Sequence, residues 1–347
     1  MPAFSALLAA LALLLLALVA GIYGTNYACV KELDLLLGSP ALAAALRFAA
    51  AALLMLPLLA AAAAASPRLA RWPLARDGLE VGGWFAGGYI SQAVALQTSA
   101  ASTQAFLLSL TVVVCPLLEV AVLRRALPPR AWAAAALAAA GVAALELGAA
   151  APLSAGDLLG LLQPLFFGVG FFRLEAAMAK HARPKAEGAD LLTPFALTAY
   201  QVLAVLCITL GWAACDAAAG GEAVAPVARQ LLEQPSAAEA ARLFFSVPNL
   251  AELVVWTGLV TTAGCALAEA YALGQVSSST ATVIFSTEPL WGALFAYAML
   301  GEQLGPNAMV GGCLLTLACL LSGSKGADDV LRRMRGRVDE AAGRPPC

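Results

Sequence analysis

Glu288 and Pro289 stand side by side in an apolar stretch that runs from Val283 through Leu300 to the polar break Gly301-Glu302-Gln303. A carboxylate set in hydrocarbon costs roughly 2.5 to 3.5 kcal/mol on insertion scales, so such a group faces a polar cavity, a partner or a substrate path. The proline beside it has no backbone N–H and frees a carbonyl from the helical ladder. An acid at a broken helix suits substrate or proton binding; a structural pairing is the competing reading.

Other ionisable side chains fall at comparable depth. Lys31 and Arg47 lie toward one end of the first pair of apolar runs, close enough to share a carboxylate or phosphate. Against that, Glu32 and Asp34 can neutralise Lys31 locally, and long basic side chains snorkel from helix ends. Glu269, Arg173 and Glu175 sit nearer the opposite interface, with Arg173 and Glu175 two residues apart and so not facing each other on a helix. Glu119 and Glu146 fall at run ends and read as interfacial. Asn26, Gln92, Gln163, Tyr200, Gln201 and Thr262 could line a polar path, with interhelical hydrogen bonding as the alternative. Gly83 and Gly87 have the spacing that lets helices pack closely. Among these, Glu288, Lys31, Arg47, Asn26, Gln92 and Glu269 are the candidates for substrate binding or coupling.

What must position them is a membrane bundle. With 61% hydrophobic and only 12% charged residues, and a mean hydropathy of +0.83, the chain departs from the roughly 25% charge of a soluble domain. Apolar runs of about 20 residues suffice to span the bilayer. Ten such runs are predicted near 11–33, 40–64, 79–98, 102–123, 131–149, 156–179, 191–214, 251–273, 279–299 and 305–323. Gly38-Ser39-Pro40, Ser66-Pro67, Pro128-Pro129, Ala151-Pro152 and Gly305-Pro306 punctuate them.

Lys and Arg crowd one set of links. Arg68, Arg71 and Arg76, then Arg124, Arg125 and Arg130, then Lys180, Arg183 and Lys185 share a face with the Arg-rich tail, against only Arg229 and Arg242 in the opposite links. That bias predicts both termini on the cytoplasmic or equivalent side. A shift of 177 residues lays Ser102-Thr103 on Ser279-Thr280, Ser109 on Ser286 and Pro129 on Pro306. Five helices per copy is odd, so the second copy would cross the membrane inverted, as in transporters that bind substrate between their halves. The long link 215–250 carries apolar residues at helical spacing from Val227 to Phe245, broken by Pro235, and reads as an interfacial lid or surface helix, or a spacer.

Tyr23-Gly24-Thr25-Asn26-Tyr27-Ala28-Cys29-Val30-Lys31, Leu46-Arg47-Phe48, Ala95-Leu96-Gln97-Thr98-Ser99-Ala100, and Glu288-Pro289 followed by Gly301-Glu302 together resemble EamA-like members of the drug/metabolite transporter superfamily. The resemblance implies an all-α integral membrane fold of ten transmembrane helices in two inverted five-helix repeats, 1–150 and 151–324, with a polar basic tail at 325–347. It also implies a central path lined by the first four helices of each half. The Gly-Glu usual after the fourth helix is replaced here by Arg124-Arg125, and the opening Trp of the first-helix motif by Tyr23.

The function expected is secondary active or facilitative transport of small polar metabolites, amino acids or related compounds, by alternating access, with proton coupling open. A membrane receptor or structural protein that transports nothing is the alternative, and an intramembrane enzyme a lesser one. There is no phosphate-binding GxxxxGK[ST] loop, no HExxH and no GxSxG, and the single histidine, His181, is expected in a basic loop. The eight cysteines form no CxxC pair and mostly lie in apolar runs. No cofactor or metal is therefore expected, and no nucleic acid. The expected partners are a small-molecule substrate and the lipid bilayer, with homodimerisation left open. The first thirty residues carry no charge, which argues against a secretory or transit segment. Plasma membrane and plastid membrane are both compatible with the sequence.

Overall fold

The computed structural model describes residues 2–111, 114, 117–118, 121, 129–147, 154–181, 192–218, 229–231, 233–273, 284–285, 287–318 and 320–321. Among these residues all regular structure is helical. Helix α1 (Pro2–Leu37) is a run of Ala and Leu that ends where Gly38 adopts φ 62°, a left-handed conformation glycine takes at no cost. Ser39 then caps α2 (Pro40–Ala65), its Oγ accepting from the Leu42 amide at 3.2 Å, with Pro40 in the first turn where a missing N–H is harmless. A 3-10 turn, Pro67–Ala70, leads into α3 (Trp72–Leu96).

Helix α4 (Ala101–Leu108) follows a short turn, and α5 spans Pro129–Leu147. Helix α6 (Ala155–Gly160) starts from a capping box in which Ser154 and Asp157 satisfy each other's backbone N–H, and α7 (Leu162–His181) continues from it. Next come α8 (Leu192–Ala218), α9 (Ala237–Ser246) with Ser236 as its cap, and α10 (Leu250–Val255). The last of these runs through a π-helical segment, Trp256–Gly264, into α11 (Cys265–Leu273). Helices α12 (Glu288–Leu300) and α13 (Pro306–Ala318) follow.

Among the described residues, five stretches are long and apolar enough to cross a membrane: Ala10–Leu37, Pro40–Ala65, Ala155–His181, Leu192–Ala218 and Leu250–Glu269. Trp132–Ala144 and Pro306–Ala318 are shorter apolar helices. Helix α3 begins several residues before its expected start and carries Arg76, Asp77 and Glu80 there, which shortens its apolar part. The expected run 102–123 is interrupted after Leu108, and Arg124 and Arg125 lie outside the described residues.

Small residues let the helices approach. Helix α3 packs along α8, α2 along α8 and the π segment, α7 along α3, and α12 along α1 and α4. Along the α3–α8 contact the close approach falls on Gly78 and Gly82: a Cβ on Gly78 would lie 2.7 Å from Tyr200 Cβ, and one on Gly82 2.6 Å from Ala204 Cβ. This corrects the expectation for Gly83, where a Cβ would meet nothing within 4 Å, while Gly87 abuts the Phe166 ring. The stripe facing α8 is one residue out of register with the motif, because a helical face is set by the partner and not by the spacing alone.

In the long link, α9 forms just after Pro235, as the helical spacing suggests. Phe244 and Val247 rest against the buried cluster of Leu33, Leu37, Leu250 and Leu253, while Phe245 points out at 74% exposure. The surface helix therefore covers the α1–α2 turn.

Candidate functional site

Helix α12 begins at the acid singled out in the sequence. Thr287 makes no side-chain cap, Pro289 occupies the first turn, and Glu288 is thus the first helical residue, where the exposed amides favour negative charge. A glycine crossing fixes its depth. Gly24 of α1 lies directly against Trp291 and the Gly292 backbone, and a Cβ on Gly292 would meet Ala105 Cβ at 2.6 Å and the Tyr27 ring at 3.6 Å. One turn before Gly292, Glu288 comes within electrostatic reach of Tyr27 and of Glu269. Glu269 in turn accepts a hydrogen bond from the Tyr23 hydroxyl at 3.0 Å.

Arg47 faces the same interior from α2. It is only 4% exposed, and its guanidinium lies 4.8 Å from the Phe48 ring centroid and 5.1 Å from that of Tyr89. Stacking on two aromatic faces compensates a desolvated cation by about 2 kcal/mol. The backbone there is held by the π segment: a Cβ on Gly258 would strike the Arg47 carbonyl oxygen and lie 2.7 Å from Ala50 Cβ. Such π-helical insertions often mark functional sites. This one presents Trp256, whose Nε1 donates to Thr25 Oγ1 at 2.7 Å, and Thr261, whose hydroxyl donates to Asn26 Oδ1 at 3.1 Å.

Tyr89 connects the charges. Its ring packs on Phe48 at 4.8 Å and Phe167 at 4.9 Å, and it lies within electrostatic reach of Arg47, Glu288 and Glu269. Gln92, one turn further along α3, is 3% exposed with Oε1 unpartnered. Tyr23, Asn26, Glu269 and Glu288 stay partly exposed although they come from helices packed together. A cation and two carboxylates thus all come within electrostatic reach of Tyr89, and groups of these kinds match the two ends of a small dipolar molecule. Gln163, Tyr200 and Thr262 instead satisfy backbone carbonyls of Gln104, Leu69 and Thr257, and Gln201 lies on the α3–α8 contact.

Lys31 is elsewhere. Its Nζ donates to Glu302 Oε1 at 2.9 Å and to the Ser99 carbonyl at 3.0 Å. Neither Glu32 nor Asp34 takes that role, and Lys31 does not share an anion site with Arg47; the expected local pairing is displaced by a residue distant in sequence. Ala100 cannot cap α4, and the free amides of Ala101 and Ser102 are taken by the Glu302 carboxylate at 2.8 and 3.1 Å, with Ser102 Oγ at 2.8 Å. Gly301, at φ 67°, turns the chain to put Glu302 there. Burial pushes the Glu302 carboxyl up, but the two amides, Lys31 and the Ser102 hydroxyl outweigh it and hold it below its usual range. Beside this knot, Ser99 Oγ donates to Asp157 Oδ1 at 2.6 Å and accepts from Gln104 Nε2 at 2.8 Å.

At the other end of α3, Asp77 is surrounded by Lys180 at 2.6 Å, His181 at 2.9 Å and Arg76 at 3.1 Å, and Glu80 pairs with Arg173 at 2.8 Å. His181 is thus the last residue of α7, paired to an acid, and not a loop residue. Glu119 lies outside the described residues. Among the described residues no group of three His, Cys, Asp or Glu side chains is arranged to hold a metal ion.

The sequence does not single out Glu302, Tyr89, Trp256 or Thr25, which the fold brings to these clusters. Gly301-Glu302 and Thr25 do lie within the motifs that carry the family resemblance. Tyr89 and Trp256 look like any interfacial or core aromatic until the fold places them.

A family model described as EamA-like transporter family matches residues 7–146 and 231–324. No curated protein matches the chain. Thirteen chains among solved structures match. One of these, a crystal structure whose description names no activity, is 16% identical over 94% of this chain and 98% of its own at a TM-score of 0.50, a likeness of fold alone.

Proposed function

The chain belongs to the EamA-like transporter family, a family of multi-pass membrane transporters, and from that premise we propose that it carries small polar metabolites, amino acids or related zwitterions, by alternating access. The observation that carries this reading is the approach to Tyr89 of Arg47, which stacks on it, and of the partly exposed Glu269 and Glu288. A substrate carboxylate pairs with the planar guanidinium, which binds it in a two-point fork. A substrate ammonium lies toward Glu269 and Glu288, while Tyr23 and Asn26 supply hydrogen bonds. Glu269 and Glu288, within electrostatic reach of each other, also offer a coupling site for an imposed proton gradient.

In this reading ten spans form two inverted halves, 1–150 and 151–324. The two separate segments matched by the family model and the internal repeat at a shift of 177 residues support it. The Lys31–Glu302 knot joins α1, the α3–α4 turn and the α12–α13 turn. The Lys and Arg distribution puts that end on the side away from the termini. It closes the path there, and it must part when the carrier opens in that direction.

Uptake and counterflow of a labelled metabolite pool in proteoliposomes, with and without a pH gradient, tests the reading. Transport that falls at least tenfold in Glu288→Gln is the expected result. Transport untouched by Glu288→Gln and by Arg47→Gln would remove the site, and no transport by the wild type of any pooled metabolite would remove the function.

A further inference from the structure

Two groups in the α1–α2 hairpin keep polar atoms that the candidate site does not engage. Asp34 is 6% exposed, and both its carboxylate oxygens are buried with no hydrogen-bond partner. Arg47 is 4% exposed, and its buried Nε–H likewise has none. Asp34 and Arg47 lie within electrostatic reach of each other. A desolvated carboxylate with neither oxygen partnered is costly, so Asp34 holds a proton in this arrangement or meets a partner in another.

The hairpin makes that arrangement reachable. Asp34 lies one turn before the end of α1 and Arg47 two turns into α2. At about 1.5 Å of rise per residue the two differ in depth by roughly 6 Å, within the span of an arginine side chain. Nearby alternatives are engaged: Lys31 is held by Glu302, and Ser39 Oγ donates to Asp216 at 2.8 Å. In the observed arrangement Arg47 stacks on Phe48 and Tyr89, and rotation about its side-chain bonds would turn it off those rings without moving a helix.

We propose that Asp34 is the resident stand-in for the substrate's anionic group: with the site empty Arg47 pairs with Asp34, and the substrate anion draws Arg47 back onto the Tyr89 face. The proposal rests on the transport reading above and adds the step that reading lacks. An unpaired guanidinium burdens any reorientation inside the bilayer. The loaded carrier neutralises Arg47 with substrate while Asp34, released, takes up a proton, and the empty carrier gives up that proton and neutralises Arg47 with the Asp34 carboxylate. Asp34 therefore decides whether the protein can return empty and accumulate substrate, or can only exchange.

The test compares two fluxes of a labelled L-amino acid mixture in proteoliposomes: net uptake into empty vesicles, and exchange into vesicles preloaded with the same unlabelled amino acids. In Asp34→Asn, net uptake is expected to fall at least tenfold while exchange stays within about twofold of wild type, and Asp34→Glu restores net uptake. Parallel loss of both fluxes, or loss of neither, overturns the proposal. A wild type that moves none of these amino acids speaks against the proposed substrate class and not against the pairing, which a second measurement decides. In detergent, melting shifts for Asp34→Asn, Arg47→Gln and the double variant are expected to depart clearly from additivity, as contacting charges do; additive shifts overturn the pairing.

Discussion

Lys31 and Glu302, 271 residues apart, meet at 2.9 Å, and the same carboxylate closes the N-terminus of α4 through the amides of Ala101 and Ser102. Glu302 is thus both ion-pair partner and helix cap, whereas Lys31 is only one of its four donors. Removing the acid should cost more than removing the base. Glu302→Ala is expected to destabilise by about 1.5–3 kcal/mol, the range for charge-assisted hydrogen bonds, and Lys31→Met by about half of that. Thermal unfolding in detergent measures both, and equal losses would deny the capping role.

The same carboxylate sets a pH dependence. Its folded value is held below the ordinary glutamate range, so its contribution to stability is fully present above the unfolded value of about 4.3 and is lost as pH falls through the lower folded value. The melting temperature of wild type should drop faster than that of Glu302→Gln as pH is lowered from 6 to about 3.5. Parallel curves would show that Glu302 is not held in its charged form.

Two neighbouring glycines separate packing from spacing. Gly82→Ala forces a methyl against Ala204 and the Gln201 backbone, and is expected to cost about 1–3 kcal/mol by overpacking. Gly83→Ala meets nothing within 4 Å and should be neutral or stabilising by up to about 1 kcal/mol. Melting temperatures of the two variants decide between this face of α3 and its neighbour.

Arg47→Lys tests the geometry of the cation. Lysine keeps the charge but loses the planar stack on Phe48 and Tyr89 and the two-point grip on a carboxylate. The KM for a carboxylate substrate should rise about tenfold, the worth of about 1.4 kcal/mol, with protein yield unchanged. An unchanged KM would mean that Arg47 serves structure alone.

Much of the fold is legible in the sequence alone. Hydropathy and punctuation by Gly and Pro locate most helices, because a span of hydrocarbon demands apolar length and a helix end demands particular caps. That Glu288-Pro289 marks a break in an apolar run is legible too, and a helix starts there. What the sequence could not determine is who meets whom. Lys31 has Glu32 and Asp34 as nearer acids, yet it is bound by Glu302, and Tyr23 reaches Glu269 across 246 residues. Asp34 ends buried and unpartnered for the same reason. Local sequence specifies depth and periodicity, but the faces that helices turn to one another depend on close crossings such as Gly24 with Gly292 and Gly258 with Arg47. Those crossings come from packing between distant segments, so only the tertiary structure could decide which polar groups share an interior and which seal its end.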